Sequence, residues 1–301
     1  MPELPDVTVY VEALARRVVG APLERLRVTN PFVLRTVEVP AAELDGRMVT
    51  GVSRLGKRVV LALDGGLFVV IHLMVAGRLR WRPRGATPPR KRGLAAFDFP
   101  SGTLLLTEEG TKRRAGLWLV RGGAALAALD PGGAEPLALS RDEFAALLRR
   151  ERHTLKRALT DPHLLAGIGN AYSDEILHAA RLSPLQLTTN LDDAELSRLH
   201  DAVRATLAAW TDRLRAEVGD GFPEKVTAFR EGMAVHGRYR LPCPVCGSPV
   251  QRIRYAENEV NYCAACQTGG RVLADRALSR LLREDWPRSL DDWEERMGAR
   301  A

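Results

Sequence analysis

The sequence predicts an α+β fold with several domains, and three observations support this fold class. Between about residues 25 and 121, short apolar runs alternate with turn residues, a pattern typical of β-structure. Beyond residue 137 the apolar residues recur at helical spacing. All four cysteines fall in one short segment of the second half. A chain of 301 residues is long enough for two domains and a small third.

The first half is predicted to be mainly β-structure, a sandwich or a barrel, behind one N-terminal helix. Residues 6–19 have the helix pattern, with Asp6 as the cap and Gly20 as the stop. Further along, the apolar runs 58–63 and 67–73 flank a glycine-rich turn, which predicts a hairpin.

The second half is predicted to be helical. The segment 130–136 is rich in proline and glycine and is predicted to link the two halves. Asp192 and Glu195 have the spacing of a capping box. An apolar stripe follows them and is predicted to face a core: Leu196, Leu199, Val203, Leu207 and Trp210. The tail 273–301 also has a helical pattern, with one apolar side: Leu278, Leu281 and Leu282.

The four cysteines form two CxxC pairs, Cys243 with Cys246 and Cys263 with Cys266. A hairpin-length spacer between such pairs brings four thiolates within tetrahedral reach of one Zn²⁺. A disulfide framework or a redox pair fits less well, because the rest of this long chain has no cysteine and no secretory signal. We predict one structural zinc ion, because four protein ligands leave no open position for chemistry.

The charge balance favours a polyanionic partner without identifying it. Lysine and arginine number 44 against 37 aspartate and glutamate residues, a formal net charge of +7. No apolar run approaches the roughly 20 residues that span a bilayer. Because the signal-peptide pattern is also absent, we expect a cytosolic protein that does not bind membranes.

The chain begins Met1-Pro2-Glu3, and this start predicts a nucleophile. Because position 2 is small, we expect Met1 to be removed, which leaves the secondary amine of Pro2 as the amino terminus. An α-amino group titrates at about pH 8, roughly two units below a lysine, so a useful fraction is unprotonated at neutral pH. Such an amine can attack an electrophilic carbon and form an iminium. Glu3 beside it can donate or accept a proton.

Six motifs together resemble the formamidopyrimidine-DNA glycosylase family, which also contains endonuclease VIII. They are Pro2-Glu3-Leu4-Pro5, Leu55-Gly56-Lys57-Arg58, His72-Leu73, Arg113-Arg114-x-Gly116, Gly167-Ile168-Gly169-Asn170 and Cys266-Gln267. Their order and spacing extend the resemblance over residues 2–267. The glycine-rich turn before Asn170 enters a predicted helix, and the exposed N–H groups of such a turn suit a phosphate.

The resemblance implies three domains, with DNA bound between the two halves. They are an N-terminal catalytic β-sandwich (2–130), a helix-two-turn-helix DNA-binding domain (137–236) and a four-cysteine zinc finger (237–270). The tail departs from the family, whose ending is shorter, and its pattern predicts a helical C-terminal extension (271–301). The expected partner is damaged double-stranded DNA. We expect a monomer in a bacterial type of cytoplasm, associated with the nucleoid.

The resemblance also implies catalytic roles for Pro2, Glu3 and Lys57. Pro2 would attack C1′ of the damaged nucleoside after its base has been flipped from the stack. Glu3 would protonate the opening sugar ring, and Lys57 would hold a phosphate near the lesion. The resulting iminium favours β-elimination and then δ-elimination, so the enzyme would be both a glycosylase and an abasic-site lyase.

Several further positions match family residues that contact DNA. Asn170 matches a phosphate-binding turn, and Lys156 matches a lysine that contacts the DNA backbone. His72 and Arg113 also match DNA-contacting positions, and Arg113 matches the arginine that fills the gap opposite a flipped base. Phosphate contacts of this kind add non-specific, salt-sensitive affinity.

The chain departs from the family pattern near the catalytic terminus and in the wedge. Asp6 stands where the family usually carries glutamate. In a Met-Arg-Phe wedge, Val75 takes the methionine position, with Met74 adjacent, and Ala115 takes the phenylalanine position. A smaller apolar plug would stack less well against neighbouring bases, which affects discrimination of the opposite base.

The zinc finger departs from the pattern at Asn258, where a finger arginine is expected five residues before Cys263. Loss of that guanidinium removes a charge-assisted contact with phosphate. We expect Arg271 or Arg254 to take its place, because both lie nearby in sequence.

The motifs favour base-excision repair of oxidised purines such as 8-oxoguanine and formamidopyrimidines. The altered wedge and finger leave a first alternative, an endonuclease VIII-like enzyme for oxidised pyrimidines or a lyase acting mostly on abasic sites. A second alternative is a zinc-finger protein that binds damaged DNA without cutting it. The intact Pro2, Glu3 and Lys57 argue against this alternative, because a pure binding protein does not need them.

Overall fold

The computed structural model describes residues 1–110, 112–224, 226–227, 229–255, 258–274, 289–290 and 292. It divides into two compact units, described separately below. Unit 1 contains Met1–Gly133 and Ala208–Ala228, and unit 2 contains Ala134–Leu207 and Phe229–Ala301. The predicted apolar side of the tail lies outside the described residues: Leu278, Leu281 and Leu282.

Unit 1 begins with helix α1 (Leu4–Val18), which starts two residues earlier than predicted. Glu3 is its N-cap, so the prediction that Asp6 caps the helix is wrong. Proline at the first positions favours this earlier start because its φ is already helical and it lacks an N–H. Gly20 has a φ of +79°, which confirms it as the stop.

Two antiparallel sheets follow α1 in unit 1. In chain order the strands are β1 (Pro22–Leu23), β2 (Arg25–Val28), β3 (Arg47–Leu55), β4 (Arg58–Leu63), β5 (Leu67–His72), β6 (Gly77–Arg82), β7 (Gly93–Phe99), β8 (Gly102–Glu108) and β9 (Gly116–Arg121). One sheet has the order β1-β3-β4-β5-β9 and the other β2-β7-β8-β6. The predicted hairpin is confirmed, because β4 and β5 pair along their length.

Both sheets contribute to one hydrophobic core, which confirms a sandwich. Every second residue of β4 enters this core, beginning with Val59 and Leu61, as the period of a strand requires. The other sheet supplies Phe97, Leu104 and Leu106. Burying one such side chain contributes about 1.5–3 kcal/mol, so the core holds the strand ends in place. A short helix, α2 (Gly123–Ala127), follows β9.

Unit 2 is mostly helical and carries one two-stranded hairpin. Its elements are α3 (Arg141–Arg149), α4 (Leu155–Thr160), α5 (Asn170–Ala179), the first part of α6 (Asp193–Val218), β10 (Val250–Tyr255), β11 (Asn258–Cys263) and α7 (Ala264–Thr268). Strands β10 and β11 pair antiparallel, with Val250 opposite Cys263.

The start and the apolar face of α6 agree with the prediction. The Glu195 N–H donates to Asp192 Oδ1 over 2.7 Å, and the Asp192 N–H donates to Glu195 Oε2 over 3.2 Å. Both halves of the capping box are therefore present. The predicted stripe is buried throughout: Leu196, Leu199, Val203, Leu207 and Trp210. In the described part of the chain, every helix is too short or too polar to cross a bilayer.

Candidate functional site

The amino terminus of unit 1 is buried, which is unusual for a chain end. Pro2 is buried, and Glu3 is only 2% exposed. The Glu3 N–H donates to Asp6 Oδ2 over 2.9 Å. This bond satisfies one of the main-chain donors that a helix start leaves open. It also fixes the backbone of Glu3 next to Pro2.

Charged side chains of both signs act on this terminus. Burial lowers the pKa of the Met1 amino group, and the Glu3 carboxylate opposes this shift. The positive charges of Arg78 and Lys57 lower the pKa further, because they disfavour a second cation nearby. The start of the chain is therefore surrounded by a carboxyl group and two cations, and together with burial these cations lower the pKa of the Met1 amino group.

Lys57 lies in a two-residue turn between β3 and β4. Gly56, the first residue of this turn, has a φ of +58°, a conformation that favours glycine. The motif thus makes a tight hairpin that presents Lys57 at the end of the sheet. Arg78, near the start of β6, was not identified from the sequence, because no motif distinguishes it from a solvent-facing strand arginine.

His72 ends β5, where it pairs with Arg58 of β4 and Gly116 of β9. Among the described residues, its buried Nε2 atom has no hydrogen-bond partner. Burial lowers the pKa of His72 to about 4, and the positive charges of Arg58 and Lys57 contribute to this shift. The imidazole is therefore neutral at neutral pH, and it keeps one ring nitrogen without a partner among the described residues.

Gly116 explains part of the Arg113-Arg114-x-Gly116 motif. A Cβ atom at this position would lie 2.6 Å from the Trp118 ring, so a larger residue would displace that ring. The Trp118 ring lies beside His72, with 6.5 Å between ring centroids, and Arg58 lies over it at 5.5 Å. Glycine thus allows the aromatic ring to pack beside the His72 imidazole.

The predicted wedge is divided between an exposed and a buried residue. Val75, between β5 and β6, is 59% exposed, and Met74 before it has a φ of +51°. Ala115 is only 3% exposed and belongs to the sandwich core. Ala115, at the position of the wedge phenylalanine, thus offers little surface in this structure. Val75 is the exposed apolar side chain of this pair.

Arg113 is exposed and donates from its Nη2 to the main-chain oxygen of Lys91 over 2.8 Å. The residues after it are held by Glu108, a buried carboxylate at the end of β8. Glu108 Oε1 accepts the N–H of Arg114 over 2.9 Å and that of Ala115 over 3.2 Å. This part of unit 1 therefore presents a guanidinium on an anchored segment.

Lys156 requires a revised interpretation. Its ammonium group donates to the main-chain oxygen of Asn170 over 2.7 Å, to Ser173 Oγ over 2.7 Å and to Asp174 Oδ1 over 2.5 Å. Three acceptors match the three N–H donors of an ammonium group. The residue is 8% exposed. The geometry therefore gives Lys156 an internal role, in contrast to the predicted contact with the DNA backbone.

Asn170 begins α5, directly after the glycine-rich turn. Gly167 in this turn has a φ of +84°, which explains the need for glycine there. The Asn170 side chain donates from Nδ2 to the main-chain oxygen of Glu259 in β11 over 2.9 Å. One side of its amide group is thus held by the hairpin.

The four cysteines come together as predicted. Their sulfur atoms all lie within 4.8 Å of one another. A tetrahedral zinc site with Zn–S bonds of about 2.3 Å separates its sulfurs by about 3.8 Å. The distances are 4.0 Å for Cys243 and Cys266, and 3.4 Å for Cys246 and Cys263. This all-sulfur cluster therefore fits one Zn²⁺ with a closed coordination sphere.

The three finger residues predicted to contact phosphate, Asn258, Arg254 and Arg271, lie on separate elements. Asn258 is the first residue of β11. Arg254 on β10 pairs in register with Glu259 and is exposed. Arg271 is also exposed and lies after α7, where its main-chain oxygen accepts the Thr268 hydroxyl over 2.6 Å. Both arginines therefore present side chains at the protein surface.

Comparison with known proteins adds two family-model matches. Residues 1–116 match the formamidopyrimidine-DNA glycosylase N-terminal domain, and residues 133–213 match the H2TH domain of the same glycosylase. An uncharacterized formamidopyrimidine-DNA glycosylase-like protein of Mycobacterium tuberculosis is 44% identical over 151 residues, covering 50% of this chain and 94% of that protein. The formamidopyrimidine-DNA glycosylase of Desulforamulus reducens is 32% identical over 281 residues, which cover 89% of this chain and 99% of that protein.

The fold is shared with solved DNA complexes. A variant of Lactococcus lactis Fpg, bound to DNA containing Fapy-dG, has a TM-score of 0.77 and 26% identity, covering 89% of this chain and 100% of that one. These matches define the class as a DNA glycosylase of base-excision repair. The chain belongs to the formamidopyrimidine-DNA glycosylase family, as its motifs predicted.

Proposed function

We propose that this glycosylase removes oxidised purines from double-stranded DNA and then cleaves the abasic strand as a lyase, with Pro2 as its nucleophile. The observation that carries the proposal is the buried pair Pro2 and Glu3, next to a Met1 amine on which the charges of Glu3, Lys57 and Arg78 act. A terminal amine with a lowered pKa, next to a carboxyl group, suits imine chemistry.

The first chemical step follows from these groups. After Met1 is removed, the uncharged Pro2 nitrogen attacks C1′, and the bond from C1′ to the damaged base breaks with its electron pair on the base. The Glu3 carboxyl group donates a proton to O4′ as the C1′–O4′ bond breaks. The proton lost by the Pro2 nitrogen passes to the departing base. The nitrogen lone pair then expels O4′, which leaves a ring-opened sugar with an iminium between Pro2 and C1′.

The iminium then promotes strand cleavage. It withdraws electrons from C2′, so the Glu3 carboxylate formed in the first step can accept a C2′ proton as the 3′ phosphate leaves in the β-elimination. A second elimination releases the 5′ phosphate. We assign Lys57 and the neutral His72 to the phosphates beside the lesion, because a cation and an uncharged donor both stabilise phosphate oxygens. Water then hydrolyses the imine and frees Pro2.

We assign the remaining DNA contacts to residues at the predicted family positions and to arginines nearby in sequence. Arg113 would fill the space left by the flipped base, with Val75 and Met74 beside it. Asn170 would bind a phosphate from unit 2, and Arg271, Arg254 or Asn258 would contribute from the zinc finger. Zn²⁺ held by the four cysteines would act as a structural cross-link of the finger. We retain the three domains 2–130, 137–236 and 237–270 with the extension 271–301 and infer a cytoplasmic location.

A second candidate is an enzyme that prefers oxidised pyrimidines or abasic sites. The observation that favours it is the altered wedge, with Val75 exposed and Ala115 buried in the core. The Lactococcus lactis relative has also been solved with DNA containing an oxidised pyrimidine. Lesion preference is therefore the property on which the two candidates differ.

Borohydride trapping on duplexes with one defined lesion tests both candidates. We expect covalent adducts with 8-oxoguanine and formamidopyrimidine duplexes, formed faster than with an oxidised pyrimidine. The opposite order of rates would support the second candidate. Adducts with an abasic site alone would indicate a lyase without purine glycosylase activity. DNA binding without any covalent adduct would refute the proposed imine chemistry and favour a protein that only binds damaged DNA.

A tag retained ahead of Pro2 supplies the matched control. It blocks the amine and should abolish trapping, while DNA affinity stays largely intact. The Glu3→Gln variant should retain DNA binding but remove bases slowly, because an amide cannot donate the required proton.

A further inference from the structure

Helix α5 contacts the zinc-binding hairpin through a stripe of polar residues four apart. Asn170 Nδ2 donates to the Glu259 oxygen over 2.9 Å, and Asp174 Oδ2 accepts the Asn261 N–H over 3.1 Å. One turn further on, His178 Nε2 lies 3.3 Å from Cys243 Sγ. Residues four apart share one face of a helix, so this single face contacts both β11 and a zinc ligand.

Asp174 is the centre of this stripe. It is fully buried, with 0% exposure, and its two oxygens accept three hydrogen bonds within unit 2. Lys156 Nζ lies 2.5 Å from Oδ1, and His236 Nδ1 lies 2.8 Å from Oδ2, which also accepts the Asn261 N–H. A buried carboxylate is costly unless it is paired and hydrogen-bonded, so these partners hold it in one position.

Lys156 connects the same carboxylate to the glycine-rich turn. Its ammonium group donates to the main-chain oxygen of Asn170 as well as to Asp174. The ion pair therefore contacts the first residue of α5 on one side and, through Asp174, strand β11 on the other. The Asn170 side chain adds a second contact with β11, because it donates to the main-chain oxygen of Glu259, two residues before Asn261.

The neighbouring carboxylate holds another part of the same unit. Glu175 accepts the main-chain N–H groups of Ala234, Val235 and His236 over 2.7, 2.9 and 2.9 Å. These residues precede the first cysteine pair, and His236 is itself a partner of Asp174. Adjacent carboxylates on α5 thus hold the chain that enters the finger and strand β11 within it.

We propose that Asp174, paired with Lys156, is a positioning residue that makes the Asn170 turn and strand β11 one phosphate-binding element. The role of DNA as ligand rests on the proposed function. A change at Asp174 therefore weakens the phosphate contacts of both the turn and the finger. Asp174 itself is too buried to contact DNA.

The Asp174→Asn variant tests this proposal, because it keeps the size of the side chain and removes its charge. The matched control is Asp193→Asn on α6, where the aspartate side chain is 95% exposed and lies 2.8 Å from Arg149. Both variants are measured against a duplex with a tetrahydrofuran abasic analogue over a range of salt concentrations. Zinc content and the trapping rate at saturating abasic DNA are measured on the same preparations.

We expect Asp174→Asn to bind the duplex about tenfold more weakly. The salt slope, which is the slope of the logarithm of the binding constant against the logarithm of the salt concentration, should decrease in magnitude by about one for each lost phosphate contact. Trapping at saturating DNA should stay within about twofold, because the nucleophile lies in unit 1. Asp193→Asn should match the wild type throughout. Wild-type affinity and salt slope in Asp174→Asn would overturn the inference. Failure of the wild type to bind this duplex would instead contradict the proposed function.

A double variant separates positioning from stability if Asp174→Asn folds poorly. Lys156→Met with Asp174→Leu removes both charges, so neither partner is left buried and uncompensated. We expect this protein to recover zinc content and thermal stability while its DNA affinity stays low, because the bonds to Asn170, Asn261 and His236 remain absent. Recovery of affinity together with stability would show that Asp174 has no positioning role.

Discussion

The main-chain N–H of Glu3 donates to the carboxylate of Asp6 over 2.9 Å, within the first turn of α1. This bond accounts for an aspartate at a position where the family usually has glutamate. Either carboxylate at the third helical residue can reach back to the N-cap, as in a capping box. In this chain the shorter side chain still holds the backbone of the proposed proton donor.

Removal of this bond should reduce both stability and the rate of base removal. For Asp6→Ala we expect a loss of about 0.5–1.5 kcal/mol in the free energy of unfolding, the usual net contribution of one intramolecular hydrogen bond. Single-turnover base removal should slow because Glu3 is no longer fixed. Asp6→Glu should preserve both properties. Equal rates for Asp6→Ala and the wild type would show that this hydrogen bond does not position Glu3.

Arg78 should control the pH dependence of the nucleophile. Its positive charge lowers the pKa of the Met1 amino group. We expect the same charge to act on the Pro2 amine once Met1 is removed, so Arg78→Gln should raise the pKa of that amine. The acidic limb of the trapping rate against pH should then move to higher pH. Arg80→Gln on the same strand is the control, because Arg80 forms its ion pair with Glu109. Identical profiles for the two variants would refute this role.

His72 should reduce the stability of the protein in acid. The folded protein binds a proton there only at about pH 4, whereas the ordinary value is 6.5. Between these values the unfolded chain binds more protons, so the free energy of unfolding falls as pH falls from 6.5 to about 4. His72→Asn should show a smaller decrease over this range than the exposed control His163→Asn. Equal decreases in the free energy of unfolding of both variants would contradict the lowered pKa of His72.

The cysteine cluster should hold one zinc ion per chain, measured by metal analysis of the purified protein. Cys263→Ser should lose zinc and bind abasic duplex more weakly, because the finger depends on four thiolates. The β-sandwich of unit 1 has its own hydrophobic core, so its β-structure should survive in circular dichroism. Full DNA affinity in a zinc-free protein would show that the finger contributes no contacts.

Val75 should influence discrimination of the base opposite the lesion. Its side chain is exposed, whereas Ala115 is buried, so Val75 is the available apolar contact of this pair. We expect Val75→Met to increase the ratio of base-removal rates between cytosine and adenine opposite 8-oxoguanine. Val75→Ala should decrease that ratio. An unchanged ratio in both variants would exclude Val75 from the wedge.

Local patterns in the sequence predicted local structure well. Glycine-rich turns between apolar runs located the β4–β5 hairpin, and the capping box located the start of α6. The CxxC spacing predicted the cysteine cluster, because short loops fix the distances within it. The start of α1 was placed too late, because the cap is Glu3 and not the more usual aspartate.

Features that depend on distant parts of the chain could not be predicted. Lys156 matched a DNA-contacting position, but its charge is paired with Asp174, a contact that depends on how α4 packs against α5. Arg78 acts on the amino terminus although no motif includes it. The burial of Ala115 could not be read from the sequence either, because it depends on the sandwich core and on the Glu108 carboxylate that accepts its N–H.

The most direct test of the account is to identify the atom that becomes bonded to DNA. Active enzyme is mixed with abasic-site duplex and borohydride, digested with protease and nuclease, and analysed by tandem mass spectrometry. We predict a peptide that begins at Pro2 and carries the reduced deoxyribose on its terminal nitrogen. A deoxyribose adduct on Lys57, or an active enzyme that still carries Met1, would contradict the assignment of Pro2 as the nucleophile.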